Sequence, residues 1–209
     1  MSPDALFLWV PKCAGMSVYR ALVPHGCIEE RWDAPLEPFA NRGIATFGHV
    51  DVLQLIERGV MTQAYFDRAF KFAFVRNPFD RLVSLFVYLK RIASPDVPPS
   101  LTFEAFCEKV ERREHPSVGL YNYRGLNQCN PMVDWLTDRE GAVIADFIGR
   151  HETVAEDFRT ICRRLGIDAV LPHENATPHA PYRDYYTDAT RAIVERAYRR
   201  DLDRFGYGF

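Results

Sequence analysis

Six apolar residues, Ala5-Leu6-Phe7-Leu8-Trp9-Val10, run without a polar interruption into Pro11 and Lys12. A strand with one wet face alternates polar and apolar positions; a strand without alternation is buried on both faces, as in a parallel sheet covered by helices. Pro11 has no amide to give a ladder and ends the strand. The residues from Gly15 through Arg20 read as the start of a helix. A strand, a turn and a helix in this order predict an α/β fold with a central parallel sheet flanked by helices. Gly15 lets backbone approach a ligand closely, Ser17 is placed to cap the helix, and the first helical amides point into the turn. An anion is the natural occupant and Lys12 its natural counter-charge. The plainer reading is a surface lysine in an ordinary strand-helix turn.

A second junction of the same kind lies at Phe70 to Ile92. Phe72-Ala73-Phe74-Val75 forms an apolar strand that runs into Arg76. Asn77 can cap, Pro78 suits the first helical position, and Leu82, Leu85, Phe86 and Leu89 supply a helical stripe. Arg76 then sits at a strand end and Ser84 about two turns along the helix.

The first loop is not a Walker A motif, which has its lysine directly before Ser/Thr; here Lys12 precedes Gly15. Pro-Lys-x-x-Gly-x-Ser after an N-terminal strand resembles the 5′-phosphosulfate loop of the carbohydrate sulfotransferases, which use 3′-phosphoadenosine 5′-phosphosulfate (PAPS). R-N-P-x-D-R-L-x-S, with Arg76 and Ser84 at its ends, resembles their 3′-phosphate site. Pro-His-x-Asn, then Tyr-Arg-x-Tyr-Tyr and a closing Asp-x-x-x-Phe-Gly-Tyr, is similar to the family's C-terminus. The resemblance covers essentially the whole chain and is to sulfotransferase family 2, the family that includes the chondroitin, dermatan and uronyl 2-O-sulfotransferases.

It implies a P-loop-like sulfotransferase fold and a set of roles. Lys12, Cys13, Ala14, Gly15, Met16 and Ser17 would surround the 5′ end of PAPS, and Arg76 and Ser84 would hold the 3′-phosphate. Arg183, in a loop that folds over the nucleotide in the family, is a further 3′-phosphate candidate beside the alternative of an exposed arginine. Lys12 would stabilise the bridging oxygen, the product would be adenosine 3′,5′-bisphosphate, and no metal is implied. The acceptor would be a glycan or other hydroxyl-bearing molecule. Met16 stands where a threonine is usual, which removes one hydroxyl donor. The missing membrane stem of the Golgi members suggests a short, bacterial-type cytosolic enzyme.

His49 follows a short strand, Ile44-Ala45-Thr46-Phe47, and precedes Asp51, a cap for a helix bearing Val52, Leu55 and Ile56. A lone histidine is commonly structural, but ligands of doubly wound sheets bind at the carboxyl ends of strands. The Gly-His-Val element also resembles the segment that supplies the base in the uronyl 2-O-sulfotransferases, which implies His49 as general base.

At 209 residues and 47% hydrophobic content the chain can bury a core as one domain, 1–209. With 26 Lys+Arg against 28 Asp+Glu, nothing global points to nucleic acid or an anionic membrane surface. No apolar run approaches the roughly 20 residues of a membrane span, and no signal peptide is evident. The five cysteines are scattered without a C-x-x-C pair, which fits reduced thiols in a cytoplasm. Cys13 reads as a space-filler rather than a nucleophile, since no partner base is evident.

Further along, residues 22–38 read as an irregular excursion and 93–100 as an exposed loop. Thr102 or Ser100 can cap a helix with Phe103, Phe106, Cys107 and Val110 inward. Its charge run is a solvated face, or Arg112, Arg113 and Arg124 meet an anionic sugar. Asn130-Pro131 opens a short helix through Leu136. Val143 to Gly149 reads as a strand, followed by a Thr153/Glu156 capping box, an inward stripe of Phe158, Ile161, Cys162 and Leu165, and Gly166 as the stop. His151 reads as structural. A Pro/His/Tyr-rich loop over 172–186 leads to one last helix carrying Ile193, Val194, Ala197, Tyr198 and Leu202. His173 and His179 resemble a metal pair only superficially. Two rivals remain: a P-loop kinase-like phosphotransferase, for which a Walker lysine and a magnesium-binding carboxylate are unclear, and a non-catalytic nucleotide- or glycan-binding module.

Overall fold

Strand β1 (Ala5–Leu8) is the inner strand from which a four-stranded parallel sheet grows in both directions. β2 (Ile44–Thr46) pairs on one edge and β3 (Phe70–Val75) on the other, with β4 (Phe147–Arg150) beyond it, giving the order β2-β1-β3-β4. The computed structural model describes residues 3–27, 39–114, 126–172 and 179–209. Phe7 registers with Thr46 on one side and Phe72 on the other, and every residue of β1 is buried, as the unalternating sequence requires. β1 is shorter than its apolar run. The Val10 amide donates to the Leu8 carbonyl at 3.1 Å, a tight turn that leaves the ladder before Pro11.

The connection after β1 leads towards β2 and the one after β3 leads towards β4. A switch point therefore lies at the carboxyl ends of β1 and β3, where open α/β sheets bind ligands.

The chain divides into two compact units. The first, Met1–Val75 and Trp135–Asn175, holds the sheet with α1 (Gly15–Leu22), α2 (Val52–Glu57), α3 (Gln63–Arg68) and α7 (Val154–Leu165). Asp51 caps α2 by accepting from the Leu53 amide, and Thr62 caps α3 by accepting from Tyr65. The buried Tyr65 hydroxyl lies 2.7 and 2.8 Å from the carbonyls of Ala5 and Gly43 and ties α3 to the sheet. Buried Lys71 of β3 donates to the carbonyls of Phe66 and Ala69 at the end of α3 and lies 3.4 Å from Asp146.

Two expectations fail in the stretch from Val143 to Glu156. The strand expected from Val143 starts only at Phe147. Ile144 donates instead to the Leu136 carbonyl, and the Asp138 carboxylate gathers the amides of Glu140 and Ala142 into a turn. The Thr153/Glu156 capping box is also absent, because the Thr153 hydroxyl donates to Asp157 Oδ2 at 2.7 Å and a 3₁₀ turn, His151–Thr153, precedes α7. The α7 stripe is buried as expected, and Gly166 closes the helix at φ 65.

The second unit, Arg76–Asp134 and Ala176–Phe209, is helical: α4 (Pro78–Arg91), α5 (Phe103–Glu111), α8 (Asp188–Ala197) and α9 (Arg199–Phe205). The short α6 (Val133–Leu136) lies on the chain between the units. Asn77 caps α4 and Thr102 caps α5. Leu82, Leu85, Phe86 and Leu89 pack with Phe103, Phe106, Cys107 and Val110 and with Val194, Tyr198 and Leu202; each such side chain contributes about 1.5–3 kcal/mol by leaving water. The last helix is two helices, broken at Tyr198, whose hydroxyl donates to the Cys129 carbonyl at 2.7 Å. Beside it, Arg81, 2% exposed, donates to the carbonyls of Gln128 and Asn130, and fully buried Asp201 accepts from the amides of Met132 and Val133.

Candidate active site

The turn after β1 is strained. Lys12 and Ala14 take φ values of 65 and 63, in the left-handed region, at about 1–2 kcal/mol for each non-glycine residue; such strain concentrates at ligand sites. Ala14 is the N-cap of α1, and no side chain caps the helix. Ser17 is therefore the third helical residue, buried, and not the cap the sequence suggested. No acidic side chain occupies the first turn of α1, so the positive end of the helix is not offset by one of its own carboxylates. Cys13 is sealed, with its thiol on the Pro11 carbonyl at 3.4 Å, which suits a space-filler. Lys12 and Met16 are half-buried.

Gly15 has a second reason to be glycine. A Cβ there would lie 1.6 Å from Nε1 of Trp9, so the indole needs the space that a side chain would fill.

Trp9 also orients His49. Nδ1 of His49 lies 2.9 Å from the Trp9 carbonyl oxygen. A carbonyl only accepts, so Nδ1 carries the proton and the basic lone pair falls on Nε2. The imidazole is 9% exposed and meets the Trp9 and Trp135 rings edge-on at 5.4 and 6.4 Å. One residue thus seats the loop through its ring and sets the histidine tautomer through its backbone. In the sequence Trp9 reads only as part of the strand.

In the second unit Arg76 is buried, with Nε on Asp80 Oδ2 at 2.7 Å and its amide on the Met132 sulfur at 3.4 Å. His179 joins this pair: its Nε2 lies 3.5 Å from Arg76 Nη2 and 3.6 Å from Asp80 Oδ1. Ser84 is 3% exposed on α4. Arg183, on the 3₁₀ turn Tyr182–Tyr185, is exposed and lies over the rings of Tyr182 and Phe209 at 5.6 and 5.1 Å. Arg112 pairs with Glu108 and Glu114 on an exposed face, and Arg113 is exposed. His173 and Arg124 lie outside the described residues. Among the described residues no three His, Cys, Asp or Glu side chains gather as a metal cluster.

A family model described as "Sulfotransferase family" matches residues 3–208. The chain belongs to the sulfotransferase family. Curated relatives of this chain include carbohydrate sulfotransferase 10 of Pongo abelii and of Homo sapiens, each 26% identical over 167 residues, 66% of this chain and 47% of theirs. The chain thus spans about half the length of these relatives. Among solved structures, mouse sulfotransferase SULT7A1 complexed with PAP superposes with a TM-score of 0.58 at 15% identity, covering 96% of this chain and 84% of that one. A sulfotransferase from Alicyclobacillus acidocaldarius gives 0.54 at 17% identity, covering 100% and 98%. At these identities the likeness establishes the sulfotransferase fold. Among the described residues no helix is long and apolar enough to cross a membrane.

Proposed function

We propose that this sulfotransferase transfers the sulfuryl group of PAPS to a hydroxyl of a carbohydrate-type acceptor, with residues 1–209 as one sulfotransferase domain. The observation that carries this reading is the strained, lysine-bearing turn at the end of β1, joined through Trp9 to a histidine whose lone pair is on Nε2. The residues suit the donor: the first turn of α1 has no acid, Lys12 is adjacent, and Arg76 is buried. When bound, PAPS supplies an activated sulfuryl group on a phosphate leaving group.

Sulfuryl transfer, like phosphoryl transfer, asks chiefly for in-line positioning and for stabilisation of charge on the leaving oxygen. Lys12 meets that charge, and residues 13–17 line the 5′ end. Arg76 and Ser84 hold the 3′-phosphate, with Arg183 as a further candidate. His49 Nε2 takes the acceptor's proton as the oxygen–sulfur bond forms and the sulfur–phosphate oxygen bond breaks, leaving adenosine 3′,5′-bisphosphate. The names of the curated relatives support a glycan acceptor. Five free, buried cysteines suit a reducing compartment such as the cytoplasm.

Calorimetric titration with adenosine 3′,5′-bisphosphate, with ADP as control and no magnesium added, tests the reading. Preference for the 3′-phosphate nucleotide is expected. Preference for ADP would sink the proposal in favour of a P-loop kinase-like activity.

A further inference from the structure

His179 packs against Arg76, the residue assigned above to the 3′-phosphate. Its Nδ1 lies 2.8 Å from the Ala180 carbonyl oxygen, which only accepts, so Nδ1 holds a proton and Nε2 carries the lone pair of the neutral ring. That lone pair faces Arg76 Nη2, which only donates, at 3.5 Å, and Asp80 Oδ1, which only accepts, at 3.6 Å. The neutral ring accepts from Arg76 and opposes the carboxylate; the protonated ring donates to Asp80 and opposes the guanidinium. One proton decides between the two arrangements. Among the described residues, the groups facing the ring are Arg76, which precedes α4, Asp80 in the first turn of α4, and Tyr185 of the 3₁₀ turn, edge-on at 6.3 Å. The imidazole side chain is 10% exposed.

We propose that His179 takes up a proton when a 3′-phosphorylated nucleotide binds, and so couples nucleotide affinity to pH. This rests on the assignment of Arg76 to the 3′-phosphate. A phosphate oxygen held by Arg76 beside the neutral ring sets an acceptor next to the Nε2 lone pair, a repulsion that the second N–H of Nη2 does not relieve. Protonation removes the conflict. Nε2–H then donates to the phosphate or to Asp80, and a dianion beside an imidazole favours its charged form. A nucleotide with a 3′-hydroxyl brings no such charge, so discrimination in favour of the 3′-phosphate grows as pH falls. His179 lies outside the Arg-x7-Ser motif and 103 residues from Arg76 in sequence, and it is a specificity residue for the donor.

The test is titration calorimetry of the full chain with adenosine 3′,5′-bisphosphate, and with adenosine 5′-monophosphate as control, in two buffers of different ionisation enthalpy. Wild type takes up more protons per bound bisphosphate than His179→Gln. Its dissociation constant falls relative to the variant's, by up to about tenfold per pH unit, as pH is lowered from about 8 to about 6.5. The second ionisation of the phosphate, near about 6, is common to both proteins and cancels in the comparison. His179→Lys, with a permanent charge, binds bisphosphate with no extra uptake. Equal proton uptake by wild type and His179→Gln, both binding bisphosphate, overturns the role of His179 and leaves the nucleotide reading standing. Absence of bisphosphate binding by wild type overturns both.

Discussion

A methyl group on residue 15 has to occupy space that the Trp9 indole already fills. The Cβ of Gly15→Ala would lie 1.6 Å from Trp9 Nε1 and 2.2 and 2.3 Å from Cδ1 and Cε2, whereas favourable non-bonded contacts begin near about 3.5 Å, so the ring must retreat by about 2 Å. It is 6% exposed and stacked between Phe7 at 5.8 Å and Tyr19 at 5.6 Å, and a retreat disrupts both contacts. The cost runs from about 2 kcal/mol if the ring shifts in place to about 5 kcal/mol if its packing is lost. The backbone itself accepts alanine, since Gly15 is helical and not at positive φ, and helix propensity returns up to about 1 kcal/mol. A net loss of about 1–4 kcal/mol is expected. At its midpoint, about 2.5 kcal/mol, the melting temperature falls by about 5–10 °C. The assay is urea and thermal unfolding of the ligand-free protein for Gly15→Ala, Trp9→Leu and the double variant. Removing the indole removes the clash, so the double variant should be at least about 1 kcal/mol more stable than the sum of the single losses implies. If Gly15→Ala unfolds like wild type while nucleotide binding weakens, the glycine serves the ligand's approach, and the indole argument is refuted. Strictly additive losses would refute it too.

His49→Ala should lower single-turnover sulfuryl transfer by about 10²–10⁴-fold, the usual worth of a general base, while calorimetry finds bisphosphate affinity little changed; turnover within a few-fold of wild type would sink the base assignment. Burial pushes the thiols of Cys107 and Cys129 up to about 12, so a thiolate-selective reagent at mildly alkaline pH should modify both in urea and neither in the native protein. Labelling of either in the folded state contradicts their burial. Burial also lifts the Asp201 carboxyl above its ordinary 3.8, against the opposing pull of Arg81 and of the two amides it accepts from. Because the folded value exceeds the unfolded one, the associated stability is fully present below 3.8 and is lost as pH rises through the raised value. Unfolding free energies measured across that window should show this decline in wild type and not in Asp201→Asn; parallel profiles would count against it.

Elements whose cap and apolar stripe are both local could be read from the sequence. α5 needs only Thr102 and the spacing of Phe103, Phe106, Cys107 and Val110, and α4 only Asn77, Pro78 and its leucines. Boundaries set by distant atoms could not. The apolar Val143-Ile144 pair looks like strand, but the sheet is joined only after Asp146 exchanges hydrogen bonds with the backbone of Lys71, 75 residues earlier. Thr153 and Glu156 have the spacing of a capping box, but the Thr153 hydroxyl is taken by Asp157. α3 went unread because its anchor is a single residue, Tyr65, whose partners are carbonyls on β1 and before β2.

The same division holds at the candidate site. Lys12 and His49 of the first unit and Arg76 of the second stand out as candidates because strand ends and short motifs locate them, whereas much of what surrounds them comes from elsewhere in the chain. The tautomer of His49 depends on a carbonyl 40 residues away, and one neighbour of Arg76, His179, arrives 103 residues later. Trp9 is the sharpest case, since its ring and its carbonyl act on two different functional elements. A change to its ring should disturb the Lys12 turn through Gly15 and the pose of His49 through the edge-on contact and the backbone together. Trp9→Leu is therefore expected to weaken nucleotide binding and lower turnover at once, where His49→Ala lowers turnover alone. If Trp9→Leu left binding intact and reduced only turnover, the indole would be supporting the base and not the loop.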